Sequence, residues 1–161
     1  MSTEIAFYDT LKRITACIDH SDRHLLSQFG LTVPRYHALK HIHQNPGVSL
    51  TALSALMRND KSSATRLTRS MQEEGLLQRH RSESDRRTYC LYLSQVGEQL
   101  LERASAARRS CTQDRFSELD VDVEALVSDL AVIVRSLEGA LNQAREGGEQ
   151  RRKAPIRNTH A

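Results

Sequence analysis

Ser62, Ser63, Thr65, Arg66 and Arg69 lie within one eight-residue stretch, and their types suit recognition of a nucleic acid. If Ala64, Leu67 and Met71 turn toward a core at spacings of three and four, Ser62, Thr65, Arg66 and Arg69 fall near the opposite face of one helix, with Ser63 at its edge. Short hydroxyls allow close approach to phosphates and base edges, and an arginine fork can pair with a guanine edge or a phosphate. A second cluster, Ser82-Glu83-Ser84-Asp85-Arg86-Arg87, puts guanidinium groups on a polar turn between two strand-like runs. Such a narrow projection fits a minor groove, whose negative potential attracts arginine, and Asp85 can brace one of the arginines. Both clusters would serve equally well as ordinary solvated surface, and on spacing alone the two readings stay open.

Other chemistry is sparser. His20 with His24 and His37 with His41 have the i, i+4 spacing that can bring two imidazoles to one metal, but no acid-cysteine-histidine cluster completes a site. The expectation is therefore no metal and no cofactor. Cys17, Cys90 and Cys111 are widely spaced and form no CxxC pair. Cys17 raises the possibility of thiol oxidation, set against its plainer use as a small core residue, and Cys90 and Cys111 take the plainer reading. A phosphate-binding glycine loop and a nucleophile motif are both missing, so the chain is not expected to be an enzyme.

The elements that must position these residues follow from periodicity. Phe7, Leu11, Ile14, Ile18, Leu25 and Phe29 recur at helical spacing, predicting one long helix from Thr3 to about Phe29, ended by Gly30. Thr32 then Pro34 start a second helix, reaching about His43 with Val33, Tyr36, Leu39 and Ile42 on one face, and Asn45-Pro46-Gly47 stops it. Ser49 caps a short third helix with Leu50, Leu53, Leu56 and Met57 inward; Asp60 caps a fourth that ends at Gly75. Leu76–Arg81 and Tyr89–Leu93 read as a two-stranded hairpin. Ser94 caps a fifth helix with Val96, Leu100, Ala104, Ala107 and Cys111 in line. After a break at Leu119-Asp120, Val123, Val127, Leu130, Val134, Leu137 and Leu141 make a stripe that Leu126 and Ile133 widen, more apolar surface than one small domain needs, which asks for a partner helix.

With 161 residues, 39% hydrophobic and 27% charged, the chain has the balance of a soluble globular protein, without a run long enough to span a membrane. Its net charge of +3 is unevenly placed: residues 58–87 carry 8 basic and 5 acidic side chains, and 88–144 carry 5 and 9. A basic contact surface held apart from an acidic helical region is one reading of that division. With no secretory segment read at the start, the expected location is the cytoplasm, associated with the nucleoid.

Two short helices with a tight break, the second polar outside, followed by a charged hairpin, give the order of a winged helix-turn-helix: a mainly α fold with a small β wing. From Leu31 to about Leu101 the chain resembles the MarR family of bacterial regulators, beginning Leu31-Thr32-Val33-Pro34-Arg35-Tyr36-His37-Ala38-Leu39. Asp60-Lys61-Ser62-Ser63-Ala64-Thr65-Arg66-Leu67 looks like that family's recognition helix, and Met71, Gly75, Leu76 and Leu77 continue in register. The family's wing signature is met by Asp85, Arg87, Leu93 and Ser94, with serine for threonine at the last position, and Arg58-Asn59 stands where many members have glycine and an apolar residue.

The resemblance implies a single MarR-like domain over 1–146, with the winged helix-turn-helix at 31–93 and dimerisation helices at 3–29 and 94–146; 147–161 is left as a basic disordered tail containing Arg151, Arg152, Lys153 and Arg157. It implies double-stranded DNA as partner, Arg87 entering or bracing the minor groove with Asp85 supporting it and Arg86 beside it, and a homodimer with half-sites about one helical turn apart. Two-fold symmetry then predicts a near-palindromic operator. Release by a small-molecule effector, often phenolic or an aromatic acid, is also implied, with Arg35, Tyr36 and His37 placed where an anion pocket can form; simple packing is the competing use of those three. A thiol- or metal-responsive regulator, and a winged-helix adaptor that has given up DNA, are the alternatives.

Overall fold

The computed structural model describes residues 2–81, 89–117 and 119–153. Helices α1 (Thr3–Ser27), α2 (Val33–Gln44), α3 (Leu50–Leu56) and α4 (Lys61–Glu73) are followed by strands that pair as a hairpin, then by α5 (Gln95–Ser117) and α6 (Val123–Lys153). Side-chain oxygens close the first turns as the sequence requires: Thr32 accepts from the Arg35 N–H, Ser49 from that of Ala52, Asp60 from that of Ser63 and Ser94 from that of Gly97. Asp122 does the same for α6, accepting from the Ala125 N–H at 3.0 Å. Gly75, at φ +74°, supplies the left-handed residue that turns the chain out of α4.

The chain divides into two compact units, Met1–Ser117 and Glu118–Ala161. In the first, Leu26 of α1, Leu39 and Ile42 of α2, Leu53 of α3 and Met71 of α4 are fully buried. Leu77 and Leu91 of the hairpin and Leu101 of α5 join the same core. The sheet has three strands in the order β1 (Val48–Ser49), β3 (Tyr89–Leu93), β2 (Leu77–Arg81), all antiparallel, where the sequence predicted two. A two-residue strand is too short to leave an alternating pattern, and Ser49 is already committed to capping α3.

Three inward assignments change. Leu56, the last residue of α3, is 44% exposed, because the helix ends there and the chain turns away through Arg58 at φ +53°. Arg58 thus takes up a left-handed conformation that favours glycine, at some cost to a residue with a side chain. Val96 is 58% exposed, and Gly97 is buried in its place, followed inward by Leu101 and Ala104. A Cβ on Gly97 would run into the Leu76 carbonyl oxygen, so the missing side chain lets α5 seat on the hairpin base and sets its rotation. Cys17 is exposed and is no core residue, since α1 buries Asp22 and Leu26 instead.

In the second unit, α6 runs to Lys153, through Gly147 and Gly148, so residues 147–153 of the expected tail are helical. Two glycines cost a helix roughly 2 kcal/mol together, and the surrounding Glu, Gln, Arg and Lys are good helix formers. No helix among the described residues is long and apolar enough to cross a membrane.

Candidate nucleic-acid interface

Helix α4 presents its polar face from a strongly fixed first turn. Asp60 accepts from the Ser63 N–H at 2.9 Å and the Ser63 hydroxyl at 2.7 Å, and the Ser62 hydroxyl also donates to it. These bonds, that of Ser62 first, hold the Asp60 carboxyl well below the usual carboxylate range. Thr65 donates to the Lys61 carbonyl at 2.7 Å. The hydroxyl protons of Ser62, Ser63 and Thr65 are therefore engaged within the helix, and what these side chains turn outward is oxygen lone pairs, which suit amino donors on base edges better than phosphates.

Arg66 is exposed and has no hydrogen-bond or ion-pair partner among the described residues. Arg69 donates to Glu73 one turn on at 2.9 Å, with 80% of its side chain exposed, a contact weak enough to be exchanged for another anion. The far end of α4 is tied down: Glu74 accepts from Arg35 of α2 and from the Ser70 hydroxyl, and the arginine holds the Glu74 carboxyl below its ordinary range. Of the five predicted residues of α4, Ser62, Thr65, Arg66 and Arg69 are exposed and Ser63 is half-buried. Asp85, Arg86 and Arg87 lie outside the described residues.

The hairpin strands were predicted, but the side chains they bring together were not singled out. Arg79 on β2 stacks its guanidinium 3.7 Å from the ring centre of Tyr89 on β3, and Arg81 lies 5.9 Å from the same ring. Arg79 and Tyr89, with Thr65, Arg69 and Gln72 of α4, line a cleft of about 550 Å³ between helix and hairpin. The pairing of Arg81 with Tyr89 was the available signal: once the hairpin register is drawn, Arg79, Arg81 and Tyr89 fall on one face.

The MarR family's sequence profile matches residues 31–89, from just before α2 to the first residue of β3. A putative transcriptional regulatory protein for the hcr operon of Thauera aromatica is 34% identical over 114 residues, covering 71% of this chain and 68% of the relative. The chain belongs to the MarR family. The HTH-type transcriptional repressor IacR of Pseudomonas putida is 28% identical over 129 residues, 80% of this chain and 77% of its own. Among solved structures, the transcriptional repressor CouR bound to a 23-mer DNA duplex superposes with a TM-score of 0.70 at 28% identity, over 78% of this chain and 89% of CouR. This MarR-family chain is accordingly a transcriptional regulator and not an enzyme.

A second cleft of about 760 Å³ lies between α2 and α5, lined by Tyr36, Lys40, His43, Ser105, Arg108 and Arg109 among others. The Tyr36 hydroxyl is 3.2 Å from that of Ser105, and Arg108 donates twice to Asp22 of α1, at 3.0 and 2.8 Å. Of the three residues expected at an anion pocket, the structure brings only Tyr36 to this cleft. Arg35 is spent on Glu74. His37 packs edge-on against Tyr36, and burial, then the charge of Arg108, pushes its pKa down. Lys40, Arg108 and Arg109 were not singled out in the sequence because they follow α2 and α5 at spacings that look like solvated helix faces. Among the described residues no group of three or more His, Cys, Asp or Glu could hold a metal, so neither histidine pair finds a third ligand there.

Proposed function

We propose that this MarR-family regulator is a sequence-specific DNA-binding repressor that acts as a homodimer on a near-palindromic operator and is released by a small phenolic or aromatic compound. The observation that carries the reading is α4 itself: a helix capped by Asp60, anchored at its end by Arg35, with Ser62, Ser63, Thr65, Arg66 and Arg69 along its open side. In this reading α4 enters the major groove, and Asp85, Arg86 and Arg87 serve the adjacent minor groove. CouR, similar in sequence and fold, is a repressor held on a DNA duplex, and IacR is named a repressor, which supports both the partner and the direction of control.

The exposed apolar residues of α1 and α6 support a homodimer, since a stripe such as Val127, Leu130, Val134 and Leu137 is costly to leave in water. The cleft beside Tyr36 is the effector site in this reading, with an aromatic wall from Tyr36 and cations from Lys40 and Arg109 for an acidic or phenolate group. Selection of bound fragments from the source genome at near-physiological salt tests the whole. A shared near-palindrome with half-sites about one helical turn apart is the expected result; folded dimer that recovers no common sequence would overturn it.

A further inference from the structure

A helix in the major groove and a wing in the neighbouring minor groove are separated on DNA by one sugar-phosphate strand, which must cross the space between them. In this protein that space is the cleft of about 550 Å³ between α4 and the β2–β3 hairpin. Its charged lining is Arg69, Glu73 and Arg79. Arg69 and Glu73 neutralise each other through their 2.9 Å hydrogen bond. Arg79 is different: it is exposed, and among the described residues its contact is the ring of Tyr89, 3.7 Å below the guanidinium carbon.

Stacking occupies the face of a guanidinium and leaves its N–H groups, which radiate from the edge, free to donate. It also fixes the orientation of a long side chain that would otherwise have to be ordered on binding. Gln78 and His80 alternate to the other face of β2, where His80 packs edge-on to Tyr92, so the pleat keeps Arg79 and Arg81 on the Tyr89 side.

We infer that Arg79, held on the ring of Tyr89, is a phosphate clamp for the DNA strand that passes between the reading helix and the wing. It rests on the DNA-binding reading above and adds a contact that no base determines: a guanidinium on a phosphate reads charge and position, not sequence. Tyr89 is a positioning residue that acts through its ring. Arg81, one pleat further along β2, stands next in line along the same strand of DNA.

The test uses the full chain, its selected operator and a scrambled duplex of equal length, with affinity measured by fluorescence anisotropy across a salt series. Arg79→Gln should weaken both duplexes by the same factor, about tenfold for the dimer, and flatten the plot of log affinity against log salt by about 0.9 per protomer. Tyr89→Phe keeps the ring and should match the parent, while Tyr89→Leu should approach Arg79→Gln; unfolding midpoints measured alongside separate a lost contact from a lost fold. An Arg79→Gln protein with the parent's affinity and salt slope, or one weakened on the operator alone, overturns the clamp. A parent protein that binds neither duplex overturns the DNA-binding reading, and the clamp with it.

Discussion

Asp60 joins stability to recognition through a handful of bonds. Its carboxylate caps α4 and holds the hydroxyls of Ser62 and Ser63, so replacing it removes a cap and frees two side chains at the helix end proposed above to approach DNA. Asp60→Ala should lower the thermal midpoint by several degrees and weaken operator binding, whereas Asp60→Asn, an equally good cap, should keep most of both; melting curves and anisotropy on the two variants check this, and equal losses would argue against capping as the cause. His37 carries a pH dependence of definite sign. Burial lowers its folded pKa beneath the usual 6.5, so the unfolded chain takes up the proton more readily than the folded one. The stability it protects is complete above that value and is lost as pH falls through 6.5 toward the folded pKa. Urea midpoints measured between about pH 7.5 and pH 5.5 should therefore decline, and His37→Asn should flatten the decline.

At the scale of elements, the start of α5 lies close against the base of the hairpin. Ser94 donates to the Gly75 carbonyl at 2.6 Å and accepts from the Gly97 N–H at 3.0 Å, joining the exit of α4, the end of β3 and the start of α5. Gly97→Ala must push α5 off the Leu76 carbonyl and should cost about 1–3 kcal/mol in urea denaturation, as overpacking does, while Val96→Ala next to it should change stability by less than about 0.5 kcal/mol. The pair also shows what a sequence can and cannot display. Thr32, Ser49, Asp60 and Ser94 were legible as caps because capping is local: a hydroxyl or carboxylate reaches an N–H three residues on, and both are in the same short string. Val96 was misread because which side of α5 faces inward depends on how close the hairpin comes, a tertiary fact that a valine advertises wrongly and a glycine hardly at all. For the same reason α4's polar side was legible, whereas Arg79 on Tyr89 and Lys40 with Arg109 needed a register or a helix crossing before they came together.

For the molecule as a whole, the homodimer proposed above rests on exposed apolar surface. Ile5, Phe7, Tyr8 and Ile14 on α1 are exposed in the first unit, and in the second Val127, Leu130, Val134 and Leu137 recur along α6 at spacings of three and four. The core around Leu39, Leu53 and Met71 belongs to the first unit and is complete without α6, so charge placed on the α6 stripe should separate copies without unfolding the reading head. Val127→Glu with Leu137→Glu should give a folded monomer by sedimentation velocity. Each monomer then holds one reading helix, and the second half-site is no longer bound from a tethered neighbour, so operator affinity should fall by roughly 10²–10⁴, the usual gain from joining two binding events. A duplex carrying a single half-site should lose far less, because it never benefited from the tether. A double variant that remains dimeric, or a monomer that grips the full operator as tightly as the parent, would show that α6 does not hold the two reading heads together.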